Sequence, residues 1–519
     1  MKSPYSLTAK QISTVRQYIK QTWHQLKRGH ADLLTAAKDP KADESEQTQL
    51  IVYISQKEDV QSIRKVLARE NPQDFEKIAI KQLPKNIHDI KSHGLLYQPG
   101  KYIVPGGRFN EVYGWDSYFI LLGLLHDDEL ALAKSLTDQL LYQVEHYGAV
   151  LNANRTYYLT RSHPPLLSRM VLKLYAHTQD IHWLGKALPA LITYYEYWLQ
   201  PEHLDKTSGL SRFWDFGHGP APEVVSGECD EYGRTHFDRI KDFYQKNKVE
   251  AYDLTLYYDA ARDTLTELFY KGDRTMRESG FDPTNRFGPF SVDIIHYLPV
   301  CLNSLLYQME QDIATLYTHL SKHTSKAKQQ SYKRERQRWQ DRATQRQRSI
   351  HQYLWDEDRG LYMDYHLTTR QRSHYKYATT FYPLWVGLAS AAQAQRILDN
   401  LPSFEAPGGI RTSTHTSGNQ WDDPFGWAPL QLIAIEGLQR YGYVESAKRL
   451  AHRFVSLVVE DFERTGSLVE KYDLDTRSSD VSQGIQYGYS SNEIGFGWTN
   501  GVLLALLKFL EDSDLPSES

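Results

Sequence analysis

The sequence predicts an all-α fold built around one continuous helical core. Three observations carry that expectation. Apolar residues recur at helical spacing over much of the chain, strand-like alternation is sparse, and no linker or composition break divides the 519 residues. Hydrophobic residues make up 40%, and Gly and Pro stay near ordinary usage at 31 and 21, which supports a large core and excludes wholesale disorder.

The elements follow in chain order. Residues 1–96 are expected to form an N-terminal helical extension, with residues 38–49 as a polar loop and Gln49 to Ser55 as the best short strand. Asp128 to His146 sets Leu130, Leu136, Leu140, Leu141 and Val144 at near-helical spacing and stops at Gly148, which supplies a C-terminal cap. The same periodicity predicts helices from Pro165 to His177, Ile181 to Leu199, Val292 to Leu320, Pro429 to Tyr441, Val444 to Phe462 and Thr499 to Leu510. Several are apolar on more than one face, so they should pack between other helices. Lys322 to Arg348 holds ten Lys/Arg against Glu335 and Asp341, with Tyr332 and Trp339 as a narrow apolar stripe. That pattern predicts an exposed helix; polyanion binding is the alternative. Residues 512–519 read as a disordered acidic tail.

Charge and composition narrow the function. Sixty Lys+Arg against 64 Asp+Glu leave a net charge of -4, so no nucleic-acid partner is expected. No apolar run of about 18 residues and no signal peptide occurs, which predicts a soluble, cytoplasmic protein with no membrane partner. Cys229 and Cys301 are too few for a disulfide framework. The 20 histidines show no paired metal spacing, and no Walker loop or dinucleotide fingerprint is present, so neither metal nor cofactor is expected. Aromatic residues reach 13%, with 36 Tyr, 18 Phe and 11 Trp; composition alone leaves core filling and sugar stacking both open.

The chemistry sits in turns between helices. Residues 105–119, PGGRFNEVYGWDSYF, crowd Arg108, Glu111, Tyr113, Trp115 and Asp116 behind a Pro-Gly-Gly turn. QWDDPFGWAP, residues 420–429, repeats the theme with Trp421, Asp422 and Trp427, and Glu470, Asp473 and Trp498 precede the last helix. Rings beside acids and arginines at several helix entries predict one shared cavity at one end of a helical barrel, suited to a saccharide.

These segments resemble the two signature motifs of the trehalases of glycoside hydrolase family 37. LNANRTYYLTRSHPP from Leu151, GLSRFWDFGHGPAPE from Gly209, RESGFDPTNRF from Arg277, and EKYDLD with GFGWTNGV from Glu470 and Gly495 match the family in the same order. The resemblance covers residues 97–511 and implies an (α/α)6 toroid over that span, acting on a small-molecule sugar, α,α-trehalose, with inversion and expected to work as a monomer. Inversion needs a protonated acid and an ionised base about 6.5–9.5 Å apart. The motifs assign the acid to Asp282 and the base to Glu470, 188 positions apart in the sequence. An apolar wall such as Phe281 should raise the acid's pKa, while Glu470 should remain ionised near water. By the same transfer Arg108, Trp115, Asp116, Asn152, Arg161, Glu223, Gln420, Trp421 and Asp422 are the expected substrate contacts, with Arg155 and Arg286 as weaker candidates that could instead pair with acids.

Three positions depart from the family pattern. Phe281 stands where members commonly carry Trp, and Ala221 stands where an Arg commonly precedes Pro-Glu. GIQYGYSSNE replaces the glycine-rich segment, aligning Tyr489 with its Glu and Glu493 with its Gln. The segment between Glu223 and Asp282 is also long. The alternatives are a hydrolase of another α-linked glucoside on the same fold, or a sugar-binding protein without turnover.

Overall fold

A computed structural model describes residues 5, 7–39, 41, 49–225, 233–482, 484–489 and 491–514. Six helices close an inner ring. Gly497–Asp514 packs on Asp116–His126, then come Leu167–Thr178, Val300–Ser321, the short Tyr382–Trp385 and Ala428–Arg440, which returns to the first. Outside them lie Ala9–Leu26, Leu130–Tyr147, Ile181–Tyr197, Lys326–Tyr353, Ala391–Asn400 and Val444–Thr465. This is the (α/α)6 toroid.

Composition explains which helices go inside. Asp116–His126 buries residues on every side, from Asp116 through Leu121 and again at Gly123 and Leu124, as a helix enclosed by others must. Lys326–Tyr353 buries only Trp339, Ala343, Arg346, Ser349 and Ile350, and Arg346 donates to Glu310 at 2.8 Å. The basic segment is therefore an outer helix whose apolar stripe grips Val300–Ser321 while its charged face meets solvent. The tightest inner contact uses glycine. A Cβ added to Gly501 would lie 1.9 Å from the carbonyl oxygen of Phe119, and one on Gly123 would lie 2.8 Å from the Cα of Gly501.

Several expected boundaries shift for physical reasons. The helix read from Val292 starts at Val300. Residues Pro289–His296 form 3-10 turns in which Phe290 and Ser291 have φ of 59° and 52°, and Pro299 then breaks the chain before the helix. Leu130–Tyr147 ends as expected, with Gly148 at φ 85°. The last helix runs on to Asp514, into the expected tail; residues 515–519 and Cys229 lie outside the described residues.

The N-terminal 96 residues are not purely helical. Leu50–Ile54 pairs in parallel with Ile78–Gln82 and with Leu95–Leu96, and Val60–Glu70 forms the crossover. Ile51 to Ile54 is buried as a continuous apolar run, which suits a covered parallel strand rather than an amphipathic helix. Ala9–Leu26, by contrast, packs on Val444–Thr465 and Gly497–Asp514, with Val15, Ile19 and Trp23 inside the main core.

Gly501→Ala should lower stability by about 1–3 kcal/mol through overpacking. Guanidinium unfolding reads this as a lowered midpoint. Gly185→Ala is the control, because its added methyl meets nothing closer than 3.5 Å, and its midpoint should not fall.

Candidate active site

The loops that enter the inner helices converge on a cavity of about 340 Å³, within the range of small-molecule pockets. Trp115 and Asp116 open the 116–126 helix, Arg161 and His163 precede the 167–178 helix, Gln420 and Trp421 precede the 428–440 helix, and Trp498 lies in the first turn of the 497–514 helix. Inner-helix N-termini face the chamber and favour negative charge there.

Asp282 follows the helix Glu267–Glu278 after a turn at Gly280, where φ is 78°. The turn admits Trp115, since a Cβ on Gly280 would lie 3.2 Å from the indole. Phe281 is buried edge-on between Trp115 and Trp421, with centroids at 5.6 and 5.2 Å. The Asp282 side chain lines the cavity, where 34% of it stays accessible and the surrounding protein desolvates the rest. This desolvation raises its pKa to about 7, against the opposing pull of Arg277 and Arg161. Arg277 donates to Asp282 at 3.3 Å and, through two nitrogens, to Asp273 at 3.1 and 3.0 Å. The guanidinium is thereby shared between two acids rather than committed to Asp282.

Glu470 lines the same cavity. It is only 2% accessible, and burial pushes its pKa up from the usual value, while Lys471 and the Tyr489 hydroxyl oppose the shift. Burial is thus deeper than expected for a base near water, and fixed donors take the place of solvent. Lys471 donates to Glu470 Oε2 at 3.2 Å and Tyr489 donates to Oε1. The Trp498 indole donates to the Glu470 carbonyl at 3.0 Å, fixing the backbone.

Gln420 connects the two carboxylate segments. Its amide donates to the Asp282 carbonyl at 2.6 Å, and its oxygen accepts from Lys471 at 3.3 Å. Beneath it Trp421 stacks on Trp427 at 3.7 Å and 2°, and the Trp427 indole donates to the Gln420 carbonyl at 3.0 Å. The strand Phe425–Trp427 pairs with Lys471–Asp473, so the segment that carries Glu470 is held by backbone as well.

Of the expected residues, Arg108, Trp115, Asp116, Asn152, Arg161, Glu223, Asp282, Gln420, Trp421 and Glu470 line the cavity. Asp116 has its pKa pushed well above the usual carboxylate range, first by burial and then by the charges of Glu470 and Asp282. Arg161 pairs with Glu223 and, at 3.5 Å, with Asp215. Burial pushes Glu223 up, but Arg161 and Arg277 outweigh it and keep the carboxyl below its usual pKa.

Asp422 is a correction. It does not line the cavity: its oxygens accept from the Thr284 and Ser417 hydroxyls and the Asn285 N–H, binding two loops behind the wall. Burial raises its pKa to about 6. Arg155 and Arg286 also turn away, onto Glu111 at 2.6 Å and onto Asp364 at 2.6 and 2.7 Å.

Sequence reasoning missed Arg277, Lys471, His236, Arg239, Tyr158 and Lys41 as cavity or carboxylate neighbours. Arg277 and Lys471 stood inside matched motifs, so adjacency to Asp282 and Glu470 was the available signal. His236 and Arg239 come from the helix His236–Lys246, in the long segment before Asp282. No spacing rule brings Lys41 to the cavity.

Asp293, His296 and His366 also meet outside the cavity. They satisfy one another: Asp293 accepts from His296 at 2.7 Å, His366 at 3.1 Å and Tyr257 at 2.7 Å. His366 Nδ1 accepts the N–H groups of Thr368 and Thr369, whereas a metal-bound histidine donates from its second nitrogen.

A family model described as Trehalase matches residues 6–511. The chain belongs to the trehalase family. The match starts at the first outer helix, so the family extends through the N-terminal segment. The chain is 37% identical over 445 residues to the cytosolic neutral trehalase of Kluyveromyces lactis, covering 79% of this chain and 56% of that protein. For the cytosolic neutral trehalase of Saccharomyces cerevisiae the figures are 36%, 79% and 57%. The chain therefore spans somewhat more than half the length of these curated relatives. The solved neutral trehalase of S. cerevisiae superposes with a TM-score of 0.78 at 30% identity, covering 96% of this chain and 94% of that one. A mannosylglycerate hydrolase from Thermus thermophilus shares the fold alone, with a TM-score of 0.53 at 18% identity over 78% of this chain and 95% of that one.

Asp422→Ala should destabilise the fold by about 1–3 kcal/mol for each buried donor left without an acceptor. Chemical denaturation would read the loss. A variant with unchanged stability but weakened sugar binding would return Asp422 to the cavity.

Proposed function

We propose that this chain hydrolyses α,α-trehalose to two glucose molecules with inversion, Asp282 acting as the acid and Glu470 as the base. The observation that carries the reading is the contrast between the two carboxyl groups in one cavity. Burial raises Asp282 to about 7, so a proton is available to the leaving oxygen near neutral pH. Glu470 is clasped by an ammonium and a phenol, which favour its ionised form and leave it able to take a proton from water.

The remaining groups suit a neutral sugar. Arg108, Arg161 and Asn152 present donors to hydroxyl oxygens, and Glu223 accepts. Arg161 Nε and Glu223 Oε2 are buried without a protein partner, and both side chains line the cavity, so hydroxyl groups there could satisfy them. Trp115 and Trp421 offer ring faces and edges for the pyranose. No cofactor or metal enters the scheme. Another α-linked glucoside is the second reading, favoured by Tyr489, His236 and Arg239, which reach the cavity from segments that depart from the family pattern.

The other parts of the reading are coarser. We place the protein in the cytoplasm, in line with the names of its relatives, and no described helix is long and apolar enough to cross a membrane. A monomer is supported by the dispersal of the exposed large apolar side chains, Leu130, Leu256, Val444 and Ile494, over separate segments. Neither nucleic acid nor membrane is a proposed partner. The working unit in this proposal starts at the helix Ala9–Leu26, earlier than the boundary at residue 97.

Incubation with trehalose, followed by NMR of the anomeric protons, should show α- and β-glucose in equal amounts before mutarotation. A purely α product, or no glucose, would sink the proposal. Asp282→Asn and Glu470→Gln should each lower kcat by about 10²–10⁴-fold while sugar binding persists. The profile of kcat/KM against pH should be bell-shaped. Asp282 must be protonated, so activity falls as pH rises through about 7; Glu470 must be ionised, so activity also falls on the acid side. A profile with no alkaline limb near neutrality would remove Asp282 from the acid role.

A further inference from the structure

Tyr489 has no counterpart in the family pattern, which carries Glu at that position, yet it makes the closest contact to the proposed base. Its hydroxyl donates to Glu470 Oε1, while Lys471 donates to Oε2 at 3.2 Å. Burial and the neighbouring Glu470 charge hold its pKa far above the usual value, so it stays protonated and serves as a donor. The ring is fixed by two cations: Lys471 Nζ lies 3.9 Å and the Arg108 guanidinium 5.2 Å from its centroid. Phe109 supports its edge at 5.8 Å.

We infer that Tyr489 is a positioning residue for the base, orienting Glu470 through Oε1 and sustaining its ionised form. The inference rests on the trehalase reading for the identity of the reaction, but not for the contact. A carboxylate oxygen accepts more than one hydrogen bond. Tyr489 takes one acceptor site and stops the buried carboxylate from rotating, which leaves a second site for the attacking water. In water Glu470 would be stabilised by solvent; here, at 2% accessibility, one phenol and one ammonium replace it. Hydrogen bonding to the charged form lowers a carboxyl pKa. The other charged or titratable groups around Glu470 are Glu493 on the following loop, Asp116 at the head of its helix, Arg108 across the Tyr489 ring, and Asp282 beyond Tyr489. Glu493 disfavours a second negative charge, so removing the phenol exposes Glu470 to its field.

The test is Tyr489→Phe, which deletes one oxygen and keeps the ring that both cations cover. The acid limb of the kcat/KM profile on trehalose should move up by about one pH unit, the equivalent of one hydrogen bond to a charged group, with KM on the plateau unchanged. An acid limb that stays in place while KM rises would overturn the inference and make Tyr489 a wall of the sugar site. A second measurement avoids turnover: carbodiimide labelling of the Glu470 peptide against pH, followed by mass spectrometry, reports protonated carboxyl directly. Its midpoint should rise in Tyr489→Phe, and an unchanged midpoint counts against the inference. If the wild-type protein releases no glucose from trehalose, the functional reading fails, and the labelling midpoint alone decides the role of Tyr489.

Discussion

The structure depends on how a desolvated chamber accommodates opposite charges at high density. Asp116, Glu223, Asp282 and Glu470 share the cavity with Arg108, Arg161 and Arg277. Burial of any one charge alone would cost far more than the fold could supply. The arrangement answers with unequal sharing. Arg161 is committed to Glu223 and Asp215, Arg277 is divided between Asp273 and Asp282, Lys471 belongs to Glu470, and burial pushes the Asp116 pKa upward. Unequal sharing also gives Asp282 and Glu470 different surroundings, on which their proposed roles as acid and base rest.

Positioning of these groups falls to a neutral residue. Gln420 touches the Asp282 backbone with one end of its amide and Lys471, next to Glu470, with the other. Its own backbone is held by Trp427, which stacks on Trp421. The ring system therefore does two jobs: Trp115 and Trp421 face the cavity, while Trp427 underpins the link between the carboxylates. The toroid supplies the frame, because each loop is clamped at the entrance to a buried helix.

Much of this was legible from sequence, unevenly. Helices with a repeating apolar period, such as Leu130–Tyr147 and Val444–Thr465, follow from residue spacing, although each also buries a continuous run of side chains, Gln139 to Val144 and Phe454 to Val459. The 116–126 helix is apolar all round after its first residues and blends into a motif that reads as a turn. The first outer helix was hidden because Val15, Ile19 and Trp23 sit in a polar segment with few apolar neighbours. Motifs placed ten of the eleven expected residues at the cavity. Asp422 failed because a motif records that an acid is required without recording which way it faces. His236, Arg239 and Lys41 were beyond reach for a different reason: tertiary packing alone delivers them.

The helix Ala9–Leu26 carries one more consequence. It is seated against Val444–Thr465 and Gly497–Asp514, so the earliest outer helix finds its place only after the latest inner one exists. Contacts of such long sequence separation are slow to form. During synthesis, a chain that has already made Arg108, Arg161 and Asp282 still lacks Glu470, the Trp498 clamp and the surface that receives its first helix. The chamber is thus assembled at the moment of ring closure. Until then the apolar faces of the inner helices stay open to other chains, which makes prompt closure the point at which folding and aggregation compete.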